Sequence, residues 1–325
     1  MITSRVAVAV AVVGEGLVDV SPAAGGRPET ARPGGSPLNV AVGLARLQQP
    51  VALFARFARD EHGRLLRAHA TSNGVDLTHA VDAAEPSTTA RVHLDTDGAA
   101  QYDFAVDGTA DFAWTDEELE ALPAEANIVH FGSLASWRSP GADVIDRRIA
   151  QLRTAGAVLI SFDPNIRPGL QLDPLAARNA VERSIAHAHL VKASEDDVRY
   201  LYSGDEVQTV ARRWLSGGVG LVIITRGPGG SSAFTDGVRV DRPSPRVDVV
   251  DTVGAGDAFT AGLLDALLRR SLGTPVTFTG ALADPRRLAA VLNDAALVAA
   301  LTCTRAGADP PTAKELSELR NSSET

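Results

Sequence analysis

Short hydrophobic segments alternate with amphipathic segments along most of the chain, and this pattern predicts a parallel β-sheet covered by helices. The hydrophobic segments are rich in Val and Ile, and they predict strands near residues 5–16, 51–57, 127–133, 157–163, 189–194 and 220–227. Apolar residues spaced for one helical face predict helices near residues 36–47, 60–73, 143–154, 175–187, 195–202 and 207–216. The pair Ser36-Pro37 predicts the start of the first helix, with Ser36 as its N-cap. This order of elements indicates an α/β fold with helices on both faces of the sheet.

One segment interrupts the alternation. Residues 87–106 contain two stretches of alternating apolar and polar residues around the tetrapeptide DTDG at 95–98. Because Asp-Gly between such stretches is a strong hairpin signal, we predict a β-hairpin here. A hairpin within an otherwise parallel arrangement is an excursion from the main sheet, and we expect it to belong to a small sheet of its own.

Composition and charge exclude several classes of protein. The 325 residues carry a formal charge of −9, whereas a protein that mainly binds nucleic acid needs a basic face. Cys303 is the single cysteine, so neither an intrachain disulfide nor a cysteine-based zinc site can form. No stretch reaches the ~18 consecutive apolar residues that a membrane helix needs. We therefore expect a cytoplasmic protein that binds small molecules rather than nucleic acid or a membrane.

Two common phosphate-binding motifs are missing from the sequence. No string matches Gly, four residues and then Gly-Lys-Ser/Thr, so a Walker A loop is excluded. After the first predicted strand, Gly14 and Gly16 begin a dinucleotide fingerprint, but Asp19 stands where its third glycine belongs. That carboxylate would repel a pyrophosphate, so a dehydrogenase of the Rossmann type is disfavoured.

The stretch DTVGAGDAFTAGLLDALLRR, residues 251–270, is a better candidate for an anion site. The backbone N–H groups of Gly254, Ala255 and Gly256 lie at the start of a predicted helix, whose dipole favours negative charge. Asp257 follows in the first turn, where it can accept the proton of a substrate hydroxyl that attacks a phosphoryl group. The alternative is that the glycines form only a turn and the acids only cap the helix.

The sequence resembles a known family over nearly its whole length. DTVGAGDAFTAGLL resembles the C-terminal signature of the PfkB family of sugar kinases, which have the ribokinase-like fold. GGSPLNVAVGLARL, more than 200 residues earlier, resembles the N-terminal glycine-pair signature of that family. GEGLVDV, FDPNIRPGL, VKASEDDVRYLY, VIITRGPGG and ALTCTRAGADPPT occur in family order, and several details are similar to bacterial fructokinases. The resemblance implies one α/β/α domain over residues 1–325, with a mainly parallel sheet and a β lid from about 87–110 and 15–32.

The resemblance also implies the residues of the sugar site. Asp257 is the expected catalytic base, and Gly254, Ala255 and Gly256 form the expected anion hole. Expected sugar contacts are Asp19, Gly34, Gly35, Asn39, Tyr102, Phe104 and Arg167. Local alternatives are an exposed Asn39 beside a simple glycine turn, an ion-pair role for Arg167, and aromatic side chains that pack against a second subunit.

ATP and cation sites are implied in the same way. Expected ATP contacts are Ser194, Thr225, Gly227, Gly230, Asn293, Ala296 and Ala299, although the two alanines also suit ordinary helix packing. Asp197 is expected to organise Mg²⁺ through water, at a position where the family has Glu, so the acid reaches one methylene less far. A K⁺ site is expected from Asp251, Val253, Thr302 and Arg305.

The resemblance implies that the chain phosphorylates a primary hydroxyl of a sugar with ATP. Fructose, giving fructose 6-phosphate, is the first expectation, and 2-keto-3-deoxygluconate or another ketose or pentose is the alternative within the family. From a different class, a protein that binds a sugar or nucleoside without turnover is an alternative, although it has no use for the base Asp257. A homodimer formed through the lid is expected.

Overall fold

The computed structural model describes residues 8–21, 29–94, 100–122, 125–170, 173–281 and 283–322. Its strands are β1 Val10–Val13, β2 Leu17–Ser21, β3 Thr30–Gly34, β4 Val51–Phe54, β5 Arg56–Ala58, β6 Val81–Ala83, β7 Thr89–Leu94, β8 Ala100–Ala105, β9 Ile128–Gly132, β10 Leu159–Asp163, β11 Leu190–Ser194, β12 Leu221–Thr225, β13 Ser231–Phe234 and β14 Arg239–Arg242. Its helices are α1 Ser36–Arg46, α2 Glu61–Ser72, α3 Ser133–Trp137, α4 Gly141–Ala155, α5 Pro174–His187, α6 Glu195–Leu201, α7 Val207–Ser216, α8 Ala255–Arg269, α9 Pro275–Ala281, α10 Pro285–Cys303 and α11 Ala313–Ser322.

The central sheet has eight strands in the order β14-β13-β12-β11-β10-β9-β1-β4. From β4 to β12 all neighbours are parallel, and β13 and β14 add an antiparallel edge. Alternate residues of β1 enter two different apolar cores, Ala11 and Val13 on one face and Val10 and Val12 on the other. Both faces of the sheet are therefore covered, which confirms the predicted three-layer α/β/α fold.

Most predicted strands and helices are present, with differences at short segments. The predicted strand 51–57 is divided at Ala55 into β4, in the central sheet, and β5, which pairs with β6. The sequence analysis did not predict the short strands β6, β13 and β14 or the helices α3, α9 and α11. In the described residues, no helix is both long enough and apolar enough to cross a membrane.

A second, four-stranded sheet has the order β3-β2-β7-β8. The predicted hairpin is confirmed by antiparallel pairing of β7 with β8, and its turn at 95–98 lies outside the described residues. The β2 strand pairs with β7 in parallel and with β3 antiparallel. The segment after the first strand and the hairpin therefore lie in one small sheet.

Helix α8, which begins at the glycine-rich turn, packs between α1 and α10. The helix is buried around most of its circumference, with Phe259, Ala261, Leu263 and Leu264 at most 5% exposed. This packing brings the first turn of α8 beside the first turn of α1, although the two turns are more than 200 residues apart along the chain. The two glycine-containing motifs therefore meet at one place.

Candidate active site

A cavity of about 540 Å³ lies between the central sheet and the small sheet, beside the first turn of α8. The cavity adjoins the carboxyl ends of β1, β9 and β10. The strand order reverses at β1, because the next strand of the sheet along the chain, β4, pairs on one side of β1 and the following one, β9, pairs on the other side. Ligands of open α/β sheets bind at such a reversal of strand order. The predicted residues that line the cavity are Asp19, Gly34, Gly35, Asn39, Phe104, Arg167, Asp251, Val253, Gly254, Gly256 and Asp257.

The Asp257 carboxylate is held by two donors from α1. Ser36 Oγ donates to Oδ1 at 2.6 Å, and Asn39 Nδ2 donates to Oδ2 at 2.8 Å. The prediction that Ser36 is an N-cap is wrong, because Gly35 occupies that position and Ser36 lies within the helix. As the first residue of the helix, Ser36 makes no side-chain capping bond, and its hydroxyl donates to Asp257 instead. Ser36 is thus a site residue that the sequence analysis missed.

Burial raises the pKa of Asp257, because a charged carboxylate loses its hydration inside the protein. The hydrogen bonds from Ser36 and Asn39 and the charges of Lys192 and Arg167 lower the pKa, but they offset burial only in part. A carboxylate with a raised pKa binds a proton more strongly than an exposed aspartate does. Asp257 is therefore a stronger base that is also fixed in orientation.

The glycine-rich turn places backbone against the cavity. Gly254 is the N-cap of α8 and has φ of 75°, and a Cβ there would lie 2.5 Å from Ala308 Cβ, so no other residue fits without displacement. Gly254 and Gly256 line the cavity, whereas the Ala255 N–H donates to the Thr252 carbonyl at 3.2 Å. The anion-hole role predicted for the three residues stays a prediction.

The Asp19 side chain on β2 lies beside Gly34 on β3, although Gly34 pairs in register with Leu17. A Cβ on Gly34 would lie 2.6 Å from Asp19 Oδ2, so the glycine makes room for the carboxylate. Burial raises the pKa of Asp19, and the positive charge of Arg167 opposes this. Phe104 on β8 lines the same cavity, and the side chain of Tyr102 lies outside the described part of the chain.

Arg167 lies at the edge of the cavity, where its Nη1 donates to Asn165 Oδ1 at 2.6 Å and to the Ile166 carbonyl at 3.2 Å. These bonds hold the guanidinium beside the loop that follows β10. Since its charge acts on both Asp19 and Asp257, Arg167 contributes to the electrostatics of the cavity. Its contact with a sugar stays a prediction.

Two buried acids beneath the cavity were missed by the sequence analysis. Glu15 is 1% exposed, lines the cavity and accepts the Ala135 N–H at Oε2. Asp111, also 1% exposed, accepts the Gly16 N–H, and burial raises its pKa to about 8. The position of Glu15 between two glycines at the end of a buried strand could have drawn attention to it, whereas Asp111 follows a hairpin and carries no such signal.

Ser194 and Asp197 close the N-terminus of α6 as a capping box. Asp197 is 7% exposed, and its Oδ1 accepts the Ile166 N–H at 2.8 Å. Its Oδ2 accepts both the N–H and the hydroxyl of Ser194, at 2.8 and 2.6 Å. These contacts give Ser194 and Asp197 a structural role in closing the end of α6. Their roles in binding ATP and Mg²⁺ stay predictions.

The other predicted ATP residues lie farther along the sheet and on α10. Thr225 ends β12, and Gly227 and Gly230 follow in the turn toward β13. On α10, Asn293 is exposed, whereas Ala296 is buried and Ala299 half-buried in the helix packing. The cavity lining described above includes none of these residues.

The two segments expected to form a K⁺ site are adjacent. Asp251 Oδ1 accepts the Val253 N–H at 3.0 Å, and Oδ2 accepts the Gly307 N–H at 2.8 Å. These N–H groups lower the pKa of Asp251. The Thr302 carbonyl accepts the Arg305 N–H at 3.1 Å. Within the described residues, no group of three or more His, Cys, Asp or Glu side chains forms a metal site.

Sequence and structure both match those of known proteins. The profile of the pfkB family carbohydrate kinase matches residues 9–315. A fructokinase of Rhizobium leguminosarum bv. trifolii is 36% identical over 264 residues, covering 80% of each chain. The crystal structure of fructokinase with bound ATP from Xylella fastidiosa has a TM-score of 0.89 at 27% identity, covering 97% of this chain and 99% of that chain. A Vibrio cholerae O395 fructokinase double mutant with fructose, ADP and potassium ion has a TM-score of 0.78 at 27% identity, covering 93% and 94%. The chain belongs to the PfkB family of carbohydrate kinases.

Proposed function

We propose that the protein transfers the γ-phosphoryl group of ATP to the primary hydroxyl of fructose, forming fructose 6-phosphate. The observation that carries this proposal is the position of Asp257, which lies oriented at the start of α8 in a cavity that also contains Asp19. A base beside a helix N-terminus suits attack of a hydroxyl on a phosphoryl group. The similarity to fructokinases supports fructose as the sugar.

In this reaction Asp257 takes the proton of the attacking hydroxyl. A bond forms between the sugar oxygen and the γ-phosphorus while the bond from that phosphorus to the bridging oxygen breaks, and ADP leaves. The backbone of Gly254 and Gly256 stabilises the negative charge of the transferring group. Asp19 and Arg167 bind sugar hydroxyls, since a carboxylate accepts and a guanidinium donates hydrogen bonds.

Magnesium enters this reaction with ATP as part of the substrate. The Asp197 carboxylate does not fit a direct metal ligand, because it is buried and accepts three hydrogen bonds from Ile166 and Ser194. We therefore derive no step from a protein-bound Mg²⁺. A K⁺ site at Asp251, Val253, Thr302 and Arg305 is proposed from the family resemblance, and the hydrogen bond from the Gly307 N–H to Asp251 supports it by joining the two segments. K⁺ there would supply positive charge next to the turn that begins α8.

The small sheet β3-β2-β7-β8 is proposed as a lid over the sugar. It contributes Asp19, Gly34 and Phe104 to the cavity, and ATP would approach from the ends of β11 and β12. By resemblance to the family, the same sheet would join two copies into a homodimer. We place the reaction in the cytoplasm, where ATP is available.

The proposal is tested by coupled ADP release with Mg-ATP and K⁺ on fructose, other ketoses, aldoses, nucleosides and 2-keto-3-deoxygluconate. We expect the highest kcat/KM on fructose. A higher kcat/KM on another sugar would support the kinase reaction but contradict fructose as the substrate. Turnover on none of these compounds would contradict the proposal and favour a protein that only binds its ligand.

The base is tested by Asp257→Asn, which we expect to lower kcat about 10²- to 10⁴-fold. The matched control is Asp265→Asn, two turns along the same helix. Asp265 is 3% exposed and is bonded to Gln49 and Arg269, away from the cavity. We expect this control to lose stability and keep kcat, and full activity of Asp257→Asn would exclude Asp257 as the base.

A further inference from the structure

A buried ion pair lies under the active site and has no role in the reaction described above. Lys192, on β11, donates from Nζ to Asp163 Oδ2 at 2.8 Å, and the two residues are 5% and 1% exposed. The Thr260 hydroxyl of α8 lies 3.4 Å from the same oxygen and 3.2 Å from the Gly256 carbonyl, and its one proton can be donated to either. Burying such a pair costs desolvation that apolar side chains of similar size would avoid, so stability alone does not account for it.

The ammonium group of Lys192 lies directly against the turn that begins α8. A Cβ on Gly256 would be 3.3 Å from Lys192 Nζ, and Gly256 itself lines the cavity. A full positive charge therefore lies beside the same helix N-terminus whose Gly254 and Gly256 line the cavity. Because the surroundings are buried, water screens this charge only weakly.

We propose that Lys192, held by Asp163, is a positioning residue that keeps the Asp257 carboxylate ionised and adds positive charge beneath the 254–256 turn. The inference deepens the proposed kinase function and rests on it. Asp163 supplies the negative charge that lets a lysine stay protonated at this depth. The oxygen of Thr260 ties the pair to α8, so that the charge and the turn keep one geometry.

The charges around these groups agree with this role. The cations that act on Asp257 are Lys192 from β11 and Arg167 from the loop after β10, whereas α1 offers the neutral Ser36 and Asn39. The titratable groups that face Lys192 are Asp163, Asp197, Asp257 and His130. Burial would lower the pKa of Lys192, but the carboxylates, Asp163 first, raise it above its ordinary value. Burial also lowers the pKa of His130 to about 4, so it adds no charge at neutral pH.

The test is the pKa of Asp257 in the ligand-free protein, followed by its carboxyl ¹³C shift in NMR and assigned with Asp257→Asn. We expect Lys192→Met to raise this pKa by about 1–3 units, as removal of a close opposite charge does. The acid limb of kcat/KM, which reports groups of the free enzyme and is measured on whichever sugar is turned over, should move to higher pH by the same amount. If Lys192 had a purely structural role, the variant would lose stability, whereas the pKa of Asp257 and the pH midpoint of the acid limb would not change.

Two further variants keep the result interpretable. If Lys192→Met alone fails to fold, the double variant Asp163→Asn/Lys192→Met is used instead, because it removes both charges and leaves no unpaired buried ion. We expect the double variant to raise the pKa of Asp257 as well. Arg56→Met removes another buried cation, paired with Glu85 and Glu118, and should leave the Asp257 pKa unchanged.

An unchanged Asp257 pKa in a folded Lys192 variant would overturn the proposal, and so would a raised pKa without a moved acid limb. Failure of the proposed kinase function would appear separately, as absence of turnover in the wild-type protein. The NMR titration would still report the effect of Lys192 on Asp257 in that case.

Discussion

The side chains that orient Asp257 come from the first turn of α1, 221 and 218 positions earlier in the chain. Local sequence rules assigned Ser36 to capping, because Ser before Pro is a good start of a helix. Its actual partner depends on how α1 and α8 pack, which no local pattern encodes. Asp257 itself was predictable, since the turn, the helix start and the acid are contiguous.

The carboxylate of Asp19 depends on a neighbour without a side chain. We predict that Gly34→Ala displaces it, because the new Cβ would lie 2.6 Å from Asp19 Oδ2. Loss of one hydrogen bond to a charged group costs about 1.5–3 kcal/mol, which corresponds to a KM for the sugar roughly 10- to 100-fold higher. Initial-rate kinetics at saturating ATP measure this effect.

The matched control for this variant is Gly280→Ala in α9. A Cβ on Gly280 meets nothing within 4 Å, and alanine favours helix, so KM should stay at the wild-type value. If Gly34→Ala also left the sugar KM unchanged, Asp19 would not be a sugar ligand.

At the scale of single elements, a variant of the capping box of α6 can show whether Ser194 stabilises the helix or binds ATP. We predict that Ser194→Ala lowers the free energy of unfolding by about 1 kcal/mol, because the Asp197 N–H loses its acceptor. The KM for ATP should stay within about twofold, since the hydroxyl is already bonded to Asp197. Urea unfolding and ATP kinetics measure the two quantities.

Asp173→Ala is the matched control for that prediction, because Asp173 caps α5 by accepting the Ala176 N–H and does not line the cavity. Both variants should lose similar stability. A KM for ATP that rises only in Ser194→Ala would instead support the ATP contact implied by the family resemblance.

The success of sequence prediction at this scale followed the length and burial of each element. Strands such as β9 and β10 are buried along their whole length and were predicted from mainly apolar segments. The missed strands β13 and β14 have four residues each and contain serine, arginine and aspartate. Their pairing with β12 and with each other, rather than their composition, makes them strands, and such non-local pairing is not visible in a local pattern.

At the scale of the whole molecule, the site carries several acids that folding removes from water. Burial raises the pKa of Glu15, Asp19, Asp111, Asp197 and Asp257. At a pH between the ordinary pKa and the raised one, the folded protein holds a proton that the unfolded chain has released. The buried acids therefore favour the folded state at low pH and cost stability as the pH rises.

Asp111 gives the clearest test of this linkage, because burial raises its pKa from an ordinary 3.8 to about 8. Its contribution to stability is fully present below about pH 4 and is lost as the pH rises to about 8, with a slope of up to about 1.4 kcal/mol per pH unit. Asp111→Asn keeps an acceptor for the Gly16 N–H and cannot ionise, so we expect it to gain roughly 1–2 kcal/mol relative to wild type between pH 6 and pH 8. Urea unfolding of both proteins at several pH values measures the difference. Asp248→Asn, at an exposed position, is the matched control for the loss of one negative charge. If the curves of Asp111→Asn and wild type stay parallel, the folded protein does not hold a proton on Asp111, and a network of hydrogen bonds rather than protonation must compensate its burial.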